Sequence, residues 1–357
     1  MGGISTLGQS LSQIGRINDL QVQLSTLERQ LASQKKASLF DELGTGVLLT
    51  QRARADFSSL DTYITNTKTA DRRIDLMNLA IDEIRVQSEG LQSALQVQTQ
   101  EGELELESIG SYAANLREFM FDLLNQQDGD RYLFAGSDTG NQPITDTGTL
   151  DTFLDNQIDN WINGVIDTDT LINNFTDDTV LNDSIVGFSS ALSSGNTKDV
   201  TVRVDEGIEV DYTVRANEEA FRNVIIGVAL FDRLNLALDG INSSPDDPPG
   251  FVTAPGATVE EQNANFYQIF DTVTNFLNSA LDDIDDSQFK LSAAQAQIQS
   301  IRESHVVEKG ILADQISDVE DIDLNEIAVQ ISSLQIQLEA SYSVTAAIRD
   351  LSLVNYL

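Results

Sequence analysis

The sequence predicts a mainly α protein, in which both ends of the chain build a long antiparallel coiled-coil-like helical rod that carries an inserted α+β domain. Two observations predict the rod. Narrow stripes of aliphatic residues recur at spacings of three and four near both ends, and hydrophobic residues make up 41% of the chain while aromatic residues make up only 6%. A third observation predicts the insert, because Gly, Asn, Asp and Thr dominate the middle of the chain and interrupt its helical periodicity.

The chain has 357 residues, which is beyond the size at which a single hydrophobic core stops growing. We therefore expect more than one domain. The patterns predict a terminal coiled-coil domain from residues 1–45 and 315–357, a helical rod domain from 46–144 and 257–314, and an outward-facing α+β insert at 145–256.

The first helix carries a seam of the coiled-coil kind, narrower than the apolar face of a helix in a globular core. Leu7, Leu11 and Ile14 precede the main seam, and polar residues occupy most other positions. The C-terminal helix carries a similar seam. The residues predicted to pack between subunits are Ile17, Leu20, Leu24, Leu27 and Leu31 near the start and Ile327, Ile331, Leu334, Leu338, Ile348, Leu353 and Leu357 near the end.

A single helix cannot bury such a seam, so the two terminal helices are expected to pair and to bring the chain ends together. The seams could pack within one chain or between chains, and their narrowness favours contacts between copies. Charge points the same way. Residues 1–50 contain four acidic and four basic residues, whereas the whole chain has a formal net charge of −36. A neutral end on an acidic protein is the part most able to pack against copies of itself.

Between the ends, further seams predict helices over about 60–95, 106–123 and 266–301, with a weak interruption at Gly310. In the insert, Thr149–Asp167 has the pattern of one short amphipathic helix. Its single tryptophan, Trp161, is interpreted as the anchor of a small core, with a ligand platform as the alternative.

The second half of the insert predicts a β-hairpin. Val200–Val204 and Ile208–Val214 alternate apolar and polar residues, and Asp205-Glu206-Gly207 lies between them. Asn217-Glu218-Glu219 then predicts the start of a helix, because acidic residues favour the first turn. Four of the five prolines fall within 243–256, which predicts a linker.

Composition excludes several functions. With no cysteine and one histidine, His305, thiolate chemistry and multi-histidine metal sites are not expected, and His305 is interpreted as a structural or surface residue. The net charge argues against binding to nucleic acid or anionic lipid. The acidic pairs near Asp282 and Asp285, and Asp128-Gly129-Asp130, lack the spacing of a calcium loop. We therefore expect no enzyme activity and no cofactor.

The first residues, Met1 to Gln9, contain neither a basic segment nor an apolar run, so that no signal peptide is predicted. No stretch approaches the roughly 20 apolar residues of a membrane span. An export route without a cleaved signal would leave the same pattern.

Three stretches resemble a known family. Arg131-Tyr132-Leu133-Phe134-Ala135-Gly136-Ser137, followed by Pro143, resembles the R-Y-L-F-G/A-G-S/T signature of the hook–filament junction proteins of the bacterial flagellum, hook-associated protein 3, in the flagellin-like superfamily. The stretches Asp321–Ala328, Leu338–Tyr342 and Leu351–Leu357 are similar to the C-terminal helix that flagellins share with these proteins. Val200–Asn223 resembles their insert. The motif residues are Arg131, Leu133, Phe134, Gly136 and Ser137, and we interpret Arg131 as half of an ion pair, with an inter-subunit contact as the alternative.

Two departures from the family pattern stand out. Where the family has a Leu-Ser/Ala-Ser/Thr-Gly-Lys run, this chain has Leu31-Ala32-Ser33-Gln34-Lys35, so the turn after the first helix is in question. The ending Asn355-Tyr356-Leu357 favours a junction protein over a filament flagellin.

The resemblance implies a structural subunit that is exported unfolded through the flagellar type III channel and polymerises in a layer between hook and filament. The implied partners are further copies of itself, the other junction protein, flagellin and an export chaperone. Three alternatives stay open: a minor flagellin, a flagellin-like surface protein that binds an extracellular ligand through its insert, and an exported carbohydrate-active enzyme.

Overall fold

A computed structural model describes residues 3–37, 44, 46–101, 106–239 and 254–354. The prediction of a mainly α fold with a small β-containing insert is confirmed. The chain forms two compact units, unit 1 from Met1–Thr62 with Ser304–Leu357 and unit 2 from Tyr63–Glu303. The three-part domain division derived from the sequence stays a prediction.

Four long helices contribute to unit 1, and two of them continue into unit 2. They are α1 (Gly3–Ser33), α2 (Gly46–Glu101), α9 (Val259–Glu320) and α10 (Leu324–Val354). Within unit 1, α1 packs along α10, and the start of α2 lies antiparallel to the end of α9. Arg54 of α2 contacts Glu320, and Asp61 contacts Lys309. The weak interruption predicted at Gly310 is wrong, because α9 is continuous from Val259 to Glu320.

Unit 2 is built around α8 (Glu219–Asp239), which packs against α3 (Leu106–Leu124) and α4 (Gly148–Ile162). Every α8 side chain from Ala220 to Phe231 is buried, including polar Arg222 and Asn223. The helix predicted to begin at Asn217–Glu219 is therefore confirmed.

Short elements complete unit 2. They are β1 (Gln127–Asp128), β2 (Arg131–Tyr132), α5 (Thr168–Thr176), α6 (Asp183–Val186), α7 (Ser190–Ser193), β3 (Thr201–Asp205) and β4 (Ile208–Asp211). β1 pairs with β2 and β3 with β4, both antiparallel. Val202 faces Val210 across the second pair, which confirms the predicted hairpin.

The predicted amphipathic helix at Thr149–Asp167 is α4, which ends earlier, at Ile162. Trp161 is 1% exposed, and its indole Nε1 donates to Thr168 Oγ1 at 3.1 Å. This burial fits the core-anchor interpretation rather than a ligand platform. The predicted proline linker at 243–256 falls mostly outside the described residues.

Candidate assembly interface

The predicted seams of the two terminal helices face each other within the chain. Ile17, Leu20, Leu24 and Leu27 of α1 are half-buried, and Leu31 is exposed. On α10, Ile327, Leu334 and Leu338 are buried and Ile331 is half-buried. The side chains of Ile348 and Leu353, and all of Leu357, lie outside the described part of the chain.

Two hydrogen bonds fix the register of α1 and α10. Gln21 Nε2 donates to Tyr342 Oη at 2.9 Å, and Thr345 Oγ1 donates to Gln13 Oε1 at 3.1 Å. Residue numbers rise on one helix as they fall on the other, so the pair is antiparallel. The prediction that the terminal helices pair is confirmed. The predicted packing of these seams between subunits stays a prediction.

Within the chain, the residues that precede the predicted seam do not continue it toward α10, and the side chain of Leu7 lies outside the described part. Leu11 and Ile14 are exposed, while the half-buried position on this side of α1 is Gln13. Spacings of three and four assigned Leu11 to the seam, although it belongs to a second apolar stripe on another face of α1. A residue two positions from a seam residue lies about 200° around a helix, on the opposite face.

A polar cluster joins the ends of the helices in unit 1. Arg54 Nε and Nη2 donate to the two carboxylate oxygens of Glu320 at 2.9 and 2.6 Å. Lys35 Nζ, just after α1, lies 3.3 Å from Glu320 and 2.5 Å from Asp321. The Lys36 amide also donates to the Glu320 carbonyl at 2.7 Å. We call Lys35, Arg54, Glu320 and Asp321 the clasp.

Electrostatics strengthen the clasp. The hydrogen bond from Arg54, against the opposing cost of burial, lowers the pKa of the Glu320 carboxyl below its ordinary value. The hydrogen bond from Lys35 likewise lowers the pKa of Asp321, and the same bond raises the pKa of Lys35. All three groups therefore stay charged at neutral pH.

The clasp was missed by sequence reasoning, and no local signal could have found it. Arg54 and Glu320 are 266 positions apart in the chain. With 57 acidic residues, every cation has many possible partners in the sequence.

The turn after α1 has a backbone conformation that favours glycine, at the position where the resembled sequence pattern has glycine. Gln34 has a φ of +58°, a left-handed conformation that favours glycine. Its carbonyl accepts from the Ile322 amide at 3.3 Å, and Lys35 bridges to Asp321. Tertiary hydrogen bonds thus hold the turn in place although the residue there is unfavourable for it.

The motif around Arg131 lies in unit 2, where it connects the end of α3 to the hairpin region. Leu133 is 7% exposed and Phe134 is fully buried. The Phe134 carbonyl accepts from the Ala216 amide at 2.9 Å, and its ring packs edge-on against Phe221 with centroids 5.9 Å apart. The motif therefore holds the segment before α8 in place.

Gly136 and Ser137 make the tightest contact of the motif. The Ser137 amide donates to the Lys198 carbonyl at 3.1 Å, and the Lys198 amide donates to Ser137 Oγ at 2.8 Å. Gly136 has a φ of +60°, and a Cβ there would lie 3.1 Å from Thr197 Cβ and 3.2 Å from Arg215 Nε. Glycine is therefore required at 136 for both conformation and space.

Arg131 does not make the expected ion pair within the described residues. The ion pairs of this hairpin belong to Asp128, whose carboxylate accepts from Arg72 at 2.8 Å and from Arg73 at 2.9 Å. These hydrogen bonds lower the pKa of Asp128. Asp128 therefore connects this hairpin to α2 through two ion pairs.

Half-buried ion pairs also connect α8 to its neighbours. Arg117 of α3 lies 2.6 Å from Asp151 of α4 and 3.3 Å from Asp232 of α8, and Arg233 lies 2.9 Å from the same Asp151. Burial raises the pKa of Asp232. Among the described residues, there is no group of three or more His, Cys, Asp or Glu side chains that could hold a metal ion. In the same part of the chain, no helix combines the length and hydrophobicity needed to cross a bilayer.

Comparison with known proteins bears on the C-terminal helices. Residues 274–357 match the family model of the bacterial flagellin C-terminal helical region. The C-terminal region of the chain is flagellin-like. This region contains α9 from residue 274 onward, the acidic half of the clasp and all of α10.

No curated protein matches the chain. Among solved structures, one described as a flagellar hook-associated protein from Vibrio parahaemolyticus aligns with a TM-score of 0.45 and 12% sequence identity, over 76% of this chain and 97% of the other.

Proposed function

We propose that the chain is a non-catalytic structural subunit of the bacterial flagellum that polymerises through its terminal helices and forms the junction layer between hook and filament. The observation that carries the proposal is the match of residues 274–357 to the flagellin C-terminal helical region. The helix at its end, α10, is apolar on two opposite faces, only one of which α1 covers.

The exposed face of the pair supports polymerisation. A helix that is hydrophobic all round is normally buried. On α10, however, Val329 is 69% exposed and Ile336 is 65% exposed. On α1, Leu11 is 61% exposed and Val22 is 67% exposed. Exposed apolar residues in such a row are typical of a surface that another protein covers.

The junction, rather than the filament, is favoured by the resemblance of Arg131–Ser137 to the junction signature. In this role the subunit is exported without a cleaved signal and lies outside the cell. Its neighbours are the other junction protein and flagellin, and a chaperone escorts it to the export channel.

Deletion of the encoding gene, followed by electron microscopy of hook tips, tests this proposal. We expect intact hooks with filaments absent or shed, and restoration by the wild-type gene carried on a plasmid. Normal filaments on every hook would contradict the junction role. High abundance of the chain along sheared filaments would identify a minor flagellin instead.

A further inference from the structure

The outward face of α1 has a regular composition. Gly8, Leu11, Gly15 and Val22 follow one another at spacings of three, four and seven, on the side of the helix opposite its contact with α10. All four residues are exposed. We call this row the outward α1 face. Two large side chains project from it, and the two glycines leave gaps between them.

Among the described residues, no contact explains the two glycines. A glycine inside a helix is about 1 kcal/mol less favourable than an alanine. Neither Gly8 nor Gly15 has a positive φ, and a Cβ added to either would meet no atom within 4 Å. Neither backbone conformation nor intramolecular packing therefore requires glycine at these positions.

The outward face of α10 has the complementary shape. Val329 and Ile336 project from the side opposite its contact with α1, seven residues apart. Gly8 and Gly15 are also seven residues apart. Seven residues of helix span about 10.5 Å. The two projecting side chains of α10 therefore have the same spacing as the two glycines of α1.

Charge selects the partner. The five central residues Gly8, Gly15, Val329, Ser332 and Ile336 are uncharged, in a chain whose net charge is −36. Two copies of so acidic a protein repel each other except where uncharged surfaces meet, because burying unpaired charge is costly. The occupant that matches in both shape and charge is a second copy.

We infer that the outward faces bind each other between copies, with α10 of one copy lying on α1 of the next and with Val329 and Ile336 seated over the two glycines. This inference rests on the proposed self-assembly and specifies its contact. The contact is heterologous, so each bound copy keeps one free α1 face or one free α10 face, and the contact repeats into a ring or a helix.

The direction of the helices follows from the repeat. Copies whose helices run along a shared ring or helical axis point the same way, so in this arrangement α10 runs antiparallel to the neighbour's α1, as it does to its own. Val329 then faces Gly15, and Ile336 faces Gly8. Within the chain Gln13 pairs with Thr345, so the neighbour is displaced by about two heptads, roughly 21 Å.

Disulfide trapping tests the contact directly, because the full-length chain has no cysteine. Full-length Gly15→Cys and Val329→Cys proteins are mixed, assembled and oxidised. We expect a disulfide-linked dimer of the two variants. The matched control, Gly15→Cys with Ile336→Cys, should give none, since its partner position lies about 10.5 Å too far for a disulfide. Cross-linking of the control pair instead would overturn the antiparallel register.

A second test separates this contact from a local effect on the helix. Gly15→Ala and Gly15→Leu should both raise the melting temperature of the monomer, because both residues favour helix over glycine. Assembly should weaken from Ala to Leu, with the Leu variant needing at least about tenfold more protein to assemble. Unchanged assembly of the Leu variant would overturn the inferred contact and leave the proposed function in place. Absence of any oligomer in the wild type would overturn both.

Discussion

Helices α8 and α10 are of similar hydrophobicity, yet the chain surrounds α8 and covers only one side of α10. In unit 2, α3 and α4 pack on α8, and its polar side chains find partners. Arg222, for example, lies 2.7 Å from Asp178 and 3.3 Å from Asp183. In unit 1, α10 has α1 on one face and exposed Val329 and Ile336 on the other. The chain thus completes the core around α8 by itself, whereas the second face of α10 stays exposed, which is the face that we propose neighbouring copies cover.

The comparison is tested most strongly by removing one large side chain from each helix. Phe221→Ala in α8 should lower the free energy of unfolding by about 3–5 kcal/mol, because Phe221 is fully buried against Phe134. Ile336→Ala in α10 should change it by no more than about 0.5 kcal/mol. Urea denaturation of dilute monomer measures both. A large loss for Ile336→Ala would mean that this face is already covered within the chain.

The clasp should contribute less than the core of unit 2. Glu320→Gln should lower the free energy of unfolding by about 1–2 kcal/mol, since Arg54 and Lys35 lose a charged acceptor but are half-exposed and can turn to water. Asp314→Asn is the matched control. It removes one exposed negative charge from the same helix, and among the described residues Asp314 makes no ion pair.

The clasp also predicts a pH dependence. Because the folded-state pKa of Glu320 is lowered, its contribution is complete above the unfolded-state value of about 4.3 and is lost as the pH falls through the folded-state value. Denaturation between pH 6 and pH 3 should therefore show a smaller loss of stability for Glu320→Gln than for the wild type. Equal losses in the two proteins would exclude this role for Glu320.

The smallest expected effect is a gain at the turn of unit 1. Gln34→Gly should stabilise the protein by about 1 kcal/mol, because the left-handed φ of +58° is unfavourable for glutamine and free of strain for glycine. Gln34→Ala keeps the unfavourable conformation and should show no such gain. Thermal unfolding of the three proteins distinguishes the effect of conformation from that of side-chain loss.

Much of the fold could be predicted from the sequence where the signal is local and repeated. The hairpin at Thr201–Asp211 and the start of α8 at Glu219 follow from alternation and from acidic first-turn residues. The short helices α5 and α6 were missed because nine and four residues are too few to show a period. Their caps were the available signal, since Asp167 and Asn182 accept from the first backbone amides.

The candidate interface was predicted only in part. The seam from Ile17 to Leu27 was found by its heptad spacing, but Leu11 was assigned to the same seam although it belongs to the opposite face. The spacing of apolar residues alone does not distinguish one broad apolar face of a helix from two opposite apolar faces. The clasp depends on pairs more than 200 positions apart, which only the folded chain brings together.

Hydrogen exchange of the backbone amides, in dilute monomer and in the assembled state, tests the central claim most directly. The account predicts that α8 is strongly protected in both states. Amides of α1 and α10 should exchange faster than those of α8 in the monomer and slow by at least about tenfold on assembly. If α1 and α10 were as well protected as α8 in the monomer and did not change on assembly, the terminal helices would already be complete within one chain. The proposal that neighbouring copies cover the terminal helices of unit 1 would then be wrong.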